Sequence, residues 1–199
     1  MTRSKIRTSG AEGLTLSSTA LTVADGLTLS DGDVTLASGH GVSFAATSDG
    51  TTMTGELLDD YEEGTFVPNA EFTTTNPTSG SVTTGNGLYT KIGRLVTIHM
   101  RLLNINDSGA SGDLKITGLP FTSLVDSGDG AVATYGGTVS HAFCNTAAST
   151  YLTSEILDNK AEARIIENID NTNRDPVNTG NITDDTTDFF ITVTYPTAS

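Results

Sequence analysis

The sequence predicts an all-β protein: a short intertwined trimeric β-stalk of 13-residue repeats followed by a β-sandwich domain, jelly-roll-like in type. Three observations predict it. Thr, Ser, Gly, Asp and Asn abound, tryptophan is absent and aromatics make up 6% of the chain; this is too polar for a helical bundle, yet too rich in apolar alternation for a disordered chain. The N-terminal quarter repeats a short alternating unit. The remainder breaks into brief alternating runs separated by Gly, Asp and Asn, the pattern of strands and turns.

The repeat begins at Gly13 with Gly-Leu-Thr-Leu and begins again at Gly26 with the same four residues; a degenerate third copy opens at Gly39. The starting glycines fall 13 residues apart, and each full copy holds two apolar-Thr-apolar triplets. Period-two alternation places Leu14, Leu16, Leu21, Val23, Leu27, Leu29, Val34, Leu36, Val42 and Phe44 on one face, and Thr15, Thr22, Thr28 and Thr35 on the other. A single strip of three-residue strands has no second layer to cover its apolar face. Winding three identical chains about one axis supplies that layer and closes the strand edges. A monomeric solenoid is the alternative, but so few repeats without caps do not make one stable. The ten apolar residues are therefore the expected trimer core.

Four segments follow from this division: a basic tip over 1–12, the stalk over 13–53, a junction over 54–64 and the β-domain over 65–199. In the junction, Thr54 suits an N-cap, Glu56 the first turn and Gly64 a stop, which predicts one or two helical turns with Leu57, Leu58 and Tyr61 packed inward. In the β-domain the expected strands are Thr65–Phe72, Gly87–Ile92, Leu95–Leu103, Gly112–Thr117, Ala131–Val139, Tyr151–Leu157, Ala163–Ile169 and Asp188–Tyr195. Ile92-Gly93-Arg94-Leu95 reads as a tight turn. Glu155–Glu167 would also suit a helix, since Glu, Lys and Ala favour one; a hairpin through Asp158-Asn159-Lys160 is preferred. Eight short strands in this length point to a jelly-roll-like sandwich.

Charge narrows the partners. The net charge is −14, and Arg3, Lys5 and Arg7 supply three of the ten basic residues, so the rest of the chain sets 7 basic against 24 acidic residues. An acidic body repels nucleic-acid phosphates and anionic lipid surfaces. No run approaches the roughly 18 apolar residues of a membrane span, and no apolar stretch follows the basic start as in a secretory signal. Neither nucleic-acid binding nor membrane insertion is expected. Cys144 stands alone, so no intrachain disulfide is available.

Chemistry-bearing motifs are missing: there is no nucleophile elbow, phosphate loop, HExxH or paired CxxC. His40, His99 and His141 are isolated, and His99 should share an exposed strand face with Thr97. Cys144 beside Phe143 reads as a small buried residue. Asp184, Asp185 and Asp188 offer oxygen ligands but lack an EF-hand spacing, so a solvated acidic loop is the simpler reading. Gly85-Asn86-Gly87 and Gly128-Asp129-Gly130 read as turn formers, since no helix follows to make a phosphate cradle. No enzymatic activity, cofactor or metal is expected.

Leu58-Asp-Asp-Tyr-Glu-Glu-Gly-Thr-Phe-Val-Pro68, preceded by Gly41-Val-Ser-Phe-Ala-Ala-Thr-Ser-Asp-Gly50, resembles a junction found in tail-fibre and related virion proteins of phages, marine ones in particular. Tyr89-Thr-Lys-Ile-Gly-Arg94, Ile116-Thr-Gly-Leu-Pro-Phe121 and Phe190-Ile-Thr-Val-Thr-Tyr-Pro196 fit the same pattern, so the resemblance spans about residues 39–199. It implies a homotrimer on the virion, with a repetitive stalk leading to a C-terminal β-sandwich that serves host adsorption. The partners would be two further copies, another virion protein met through Arg3, Lys5 and Arg7, and a host-surface saccharide or protein. Only a dozen residues precede the repeats, unlike long tail fibres, which leaves tail, tail adaptor and capsid open as attachment points. A purely structural head fibre, decoration or adaptor is the alternative. A depolymerase spike fits less well, because glycosidases need paired carboxylates and usually aromatic platforms, and this chain has no tryptophan and five tyrosines.

Overall fold

A computed structural model of the chain describes residues 30, 33–38, 40–43, 57–58, 60–80, 82–125, 134–146, 150–169 and 174–197. The chain divides into two compact units, Met1–Leu36 and Ala37–Ser199. Of the first, the described residues include Val34 and Leu36, both solvent-exposed in the single chain.

The second unit is built of antiparallel strands. β1 (Val42–Ser43) pairs with β2 (Leu57–Leu58) as a separate two-stranded sheet. Then come β3 (Tyr61–Phe66), β4 (Asn69–Phe72), β5 (Val82–Ile92), β6 (Leu95–Ile105), β7 (Leu114–Thr117), β8 (Thr134–Ala142), β9 (Thr150–Leu157), β10 (Ala163–Ile169), β11 (Asp175–Pro176) and β12 (Thr187–Pro196), with a 3-10 turn at Thr179–Asn181. β3 to β12 form one continuous 10-stranded sheet in the order β3-β5-β6-β12-β8-β9-β10-β7-β4, with β11 attached to β10. The two edges, β3 and β4, are consecutive in sequence and separated only by Val67-Pro68. So short a link spans at most about 11 Å. The sheet therefore curls round until its edges approach.

Alternation decides which side is inside. Val96, Ile98, Met100 and Leu102 of β6 and Phe189, Ile191, Val193 and Tyr195 of β12 are buried, and they meet Leu114, Ile116, Leu152, Ile156 and Ile165 from the far half of the curl. A one-residue slip would turn every one of them to solvent, so the pattern pins the register. One irregularity is tolerated: Thr187 pairs with Ile105 but Phe189 with Leu102, which leaves an extra β6 residue near Asn104. Asn104 takes φ +55° and its N–H donates to Asp188 Oδ1 at 2.9 Å, an asparagine use typical of bulges and left-handed positions.

The expected strands are present with shifted ends, and three expectations are corrected. The helical junction is not found in the described part of 54–64: Leu57–Leu58 and Tyr61 onward are extended, and Leu58 and Tyr61 are exposed. Pairing of Leu57–Leu58 with β1 and of Tyr61 onward with β5 outweighs a helical spacing too short to fix itself. Thr65–Phe72 is not one strand but the end of β3 and all of β4, bent at Val67-Pro68, where proline supplies no ladder donor. Gly85-Asn86-Gly87 is no turn but the middle of β5. A side chain at Gly85 would run into the Pro68 carbonyl oxygen, and one at Gly87 into the Phe66 ring. The hairpin after Leu157 is as expected, with Asn159 at φ +53° and Ile156 opposite Ala163. So is the turn at Gly93, which has φ +54° between the paired Ile92 and Leu95.

Candidate functional site: a braced base and a loop crown

Antiparallel pairing gives the second unit two distinct ends. At the base lie Tyr61 opposite Ile92 and Leu95 opposite Pro196. At the other end, the crown, Val82 and Thr187 both face Ile105. The chain comes into the β-domain at the base, through Asp60, whose carbonyl accepts from Gly93 N at 2.7 Å.

Four sequence-distant stretches meet from the base upward: Tyr61–Pro68, Tyr89–Arg94, Ile116–Phe121 and Phe190–Pro196. Gly64 faces Tyr89 and Phe66 faces Gly87 across the β3–β5 ladder, so each ring lies over the glycine opposite. Tyr89 meets Phe121 edge to face, with centroids 5.3 Å apart at 84°, a favoured aromatic geometry. The Lys91 ammonium lies 5.8 Å from the Phe121 ring centre and pairs with Asp60, while its stem is buried. Tyr195 Oη donates to the Phe121 carbonyl at 3.0 Å, and Thr197 N to the Arg94 carbonyl at 2.8 Å. Burial pushes the Tyr195 phenol up to about 12. Rings, glycines and backbone all interlock here, and nothing in the set is arranged as nucleophile and base.

The crown gathers loops 73–81, 106–113 and 178–186. Thr75 and Ser111 bridge the first two, and Asp113 and Asn178 bridge the second to the third. Its asparagines are spent on bracing. Asn76 Oδ1 accepts from Phe72 N at 2.7 Å, Asn106 Oδ1 from Ser108 N at 2.9 Å, and Asn178 and Asn181 form a reciprocal cap. Asn181 Nδ2 also reaches the Asn145 carbonyl at 2.8 Å. Asp184 Oδ1 accepts from Asp107 N at 3.1 Å. Burial, then the Asp184 charge, raises the Asp107 carboxyl above its ordinary range.

Between base and crown, the outer side of β3, β5, β6, β12 and β8 holds an open groove of about 830 Å³. His99, exposed as expected, has Nδ1 2.9 Å from Thr192 Oγ1, and Thr97 Oγ1 lies 3.0 Å from Thr194 Oγ1.

Of the residues singled out from sequence, Arg3, Lys5, Arg7, Leu14, Leu16, Leu21, Val23, Leu27, Leu29 and Phe44 lie outside the described residues. Val34, Leu36 and Val42 are exposed in the single chain. Among the described residues no group of three His, Cys, Asp or Glu could hold a metal ion. Asp188 is occupied with Asn104 N. Cys144 is half-buried, and burial with Glu167 nearby pushes its thiol up to about 11, so little thiolate forms at neutral pH. Of the polar stretch 73–85, residues 73–80 reach the crown and 82–85 belong to β5; the described part of 171–185 reaches the crown as well. The segment 126–130 lies outside the described residues, but its flank Leu124 is bonded to Pro196 at the base.

Sequence reasoning missed the ring-over-glycine pairs. Their signal is a reciprocal spacing: Gly64-x-Phe66 and Gly87-x-Tyr89 place each glycine opposite the other strand's ring when the strands run antiparallel. No family model matches the chain, and no curated protein matches it.

Proposed function

We propose that the chain is a trimeric bacteriophage virion fibre protein, tail-associated, whose C-terminal β-domain contacts the host surface during adsorption. On this reading residues 13–53 are the intertwined stalk, with Leu14 to Phe44 about the three-fold axis, and 65–199 fold as a jelly-roll-like sandwich. Residues 1–12 dock on another virion protein through Arg3, Lys5 and Arg7. One observation carries the adsorption role: the chain joins the β-domain at the base, and the polar loops gather at the opposite end. A domain held at its base offers its far loops to whatever the particle meets, and loops carry recognition because they vary without disturbing the sheet.

The purified chain should have a native mass of about three times 20.7 kDa, and should slow adsorption of the phage to its host. Replacing Thr74, Thr75 and Thr78 together by alanine should abolish the competition. A chain that neither binds cells nor competes is a structural appendage. That second reading, a capsid-bound head fibre, decoration or tail adaptor, is favoured by one fact: the crown's Asn76, Asn106, Asn178 and Asn181 are already committed to internal hydrogen bonds. Deleting residues 1–12 separates attachment from assembly; it should leave the trimer intact and remove the protein from virions.

A further inference from the structure

The outer side of β3, β5, β6, β12 and β8 is the one broad sheet face in the described β-domain that carries clustered apolar residues. Tyr61 (65% exposed), Val67 (73%), Leu88 (59%), Ile92 (51%), Leu95 (52%) and Phe190 (44%) all stand on it or at its rim. Scattered exposed apolar side chains need no explanation, but Tyr61, Ile92 and Leu95 stand in one cross-strand row while Val67, Leu88 and Phe190 line the groove above it, and six on one sheet face mark a contact surface.

Electrostatics selects the occupant. The chain carries −14, yet among the described residues no carboxylate lines the groove and Arg101 is its only formal charge. Glu63 stands toward the β3 edge and Asp188 at the crown end of β12. Two acidic surfaces repel, whereas this face, free of carboxylates and carrying Arg101, can receive an acidic surface of another copy without that cost, and depletion of charge is what interface centres show. The hydroxyls point the same way. Thr97 with Thr194, and His99 Nδ1 with Thr192, each already hold one hydrogen bond across the β6–β12 ladder. Part of the cost of drying these groups is therefore already met, whereas a saccharide would have to compete for them. The size also fits. The 6, 11, 11, 10 and 9 residues of these strands, each covering about 3.3 by 4.8 Å, give roughly 750 Å², near the ~800 Å² per partner of a stable interface.

We infer that a second copy of this chain covers this face, so that the β-domains of the assembly pack on one another as well as being tied together ahead of Asp60. This rests on the proposed trimer and deepens it. Around a three-fold axis the contact is heterologous: the face of each copy meets a different surface of its neighbour. The row nearest the base, Tyr61, Ile92 and Leu95, starts beside the point where the chains come in.

The three histidines allow a direct test on the full chain. His99 lies on the face, whereas His141 is exposed on the core-facing side of β8 near its crown end. Carbethoxylation followed by peptide mass spectrometry should modify His99 at least about ten-fold more slowly than His141. In Leu95→Glu, and independently in Phe190→Glu, His99 should rise to the rate of His141 while native mass and circular dichroism stay unchanged, because the stalk still holds the copies. Tyr151→Glu, at a more exposed side chain on β9, should leave His99 protected. Equal rates at His99 and His141 in a wild-type trimer would overturn the covered face and leave the trimer reading standing. A wild-type monomer would overturn both. Protection of His99 that appears only when host-envelope saccharide is added would make the face a ligand groove and sink the inference.

Discussion

The framework at the base and the crown loops are held by different forces. In the framework, Phe66 and Tyr89 lie over Gly87 and Gly64, Tyr89 meets Phe121, and Tyr195 is fully buried beneath. Its order comes from close packing, where one added carbon has nowhere to go. The crown is held by side-chain-to-backbone hydrogen bonds at exposed positions, such as Asn106 to Ser108 and Asn178 to Gly180. Each contributes about 1 kcal/mol net, and water can replace it. The framework should thus be intolerant and the crown forgiving, which is also the division a recognition surface on a fixed scaffold requires.

The largest effect that would break this contrast belongs to Gly85→Val. A Cβ there falls against the Pro68 carbonyl oxygen, which is backbone and cannot rotate aside, and the bend at Val67-Pro68 is what brings the two sheet edges together. We expect a loss of more than about 3 kcal/mol in urea unfolding, or no folded protein. A loss below 1 kcal/mol would mean that the corner yields and the framework is softer than its packing implies.

Next is Tyr195→Phe, which leaves the Phe121 carbonyl without its donor at the bottom of the core. About 1–2 kcal/mol should be lost at neutral pH. A second arm sharpens the point. The phenol is pushed up to about 12, so the native state keeps a proton that the unfolded chain releases near 10. The stability this supports is full below pH 10 and is lost as pH rises from there toward 12. The Phe variant should lose less stability than the wild type across that window. Parallel alkaline curves would show that Tyr195 is not the group responsible.

The framework and crown were unequally legible in the sequence, for physical reasons. Strands such as Asp188–Tyr195 were readable because one face is buried and the period is two. Long-range facts were not. Nothing local says that Gly87 is extended, because its conformation is fixed by Phe66, 21 positions earlier. The junction failed likewise: Leu57, Leu58 and Tyr61 have a helical spacing, but Gly64 faces a ring across a ladder. His99 was placed correctly because Val96, Ile98 and Met100 left it no choice of side. That loops 73–81, 106–113 and 178–186 meet at one end follows from strand direction, which no loop encodes.

At the crown, Asn178→Ala removes the acceptor for Gly180 N at 2.8 Å and one half of the cap with Asn181. About 0.5–1 kcal/mol should be lost, seen as a fall of a few degrees in Tm, with the framework intact by near-ultraviolet circular dichroism. A loss as large as that of Tyr195→Phe would erase the distinction between the two regions.

The smallest effect has the opposite sign. Burial raises the Asp107 carboxyl, and the Asp184 charge adds to this, so its ionised form costs the crown stability at neutral pH. Asp107→Asn keeps the shape and removes that charge; Tm at pH 7 should rise by a degree or two, the group being too exposed for more. The sign follows from linkage. With its folded pKa above the ordinary value of 3.8, the native state binds the extra proton between those two values. Wild-type stability relative to the variant therefore falls as pH rises through that window and is level above it. The advantage of Asp107→Asn should be full at neutral pH and shrink as pH drops through the raised value toward 3.8. A variant that is less stable than wild type at pH 7 would show that the paired carboxyls are neutralised by a bound cation or by a neighbouring copy, and the crown would then be better braced than its hydrogen bonds alone imply.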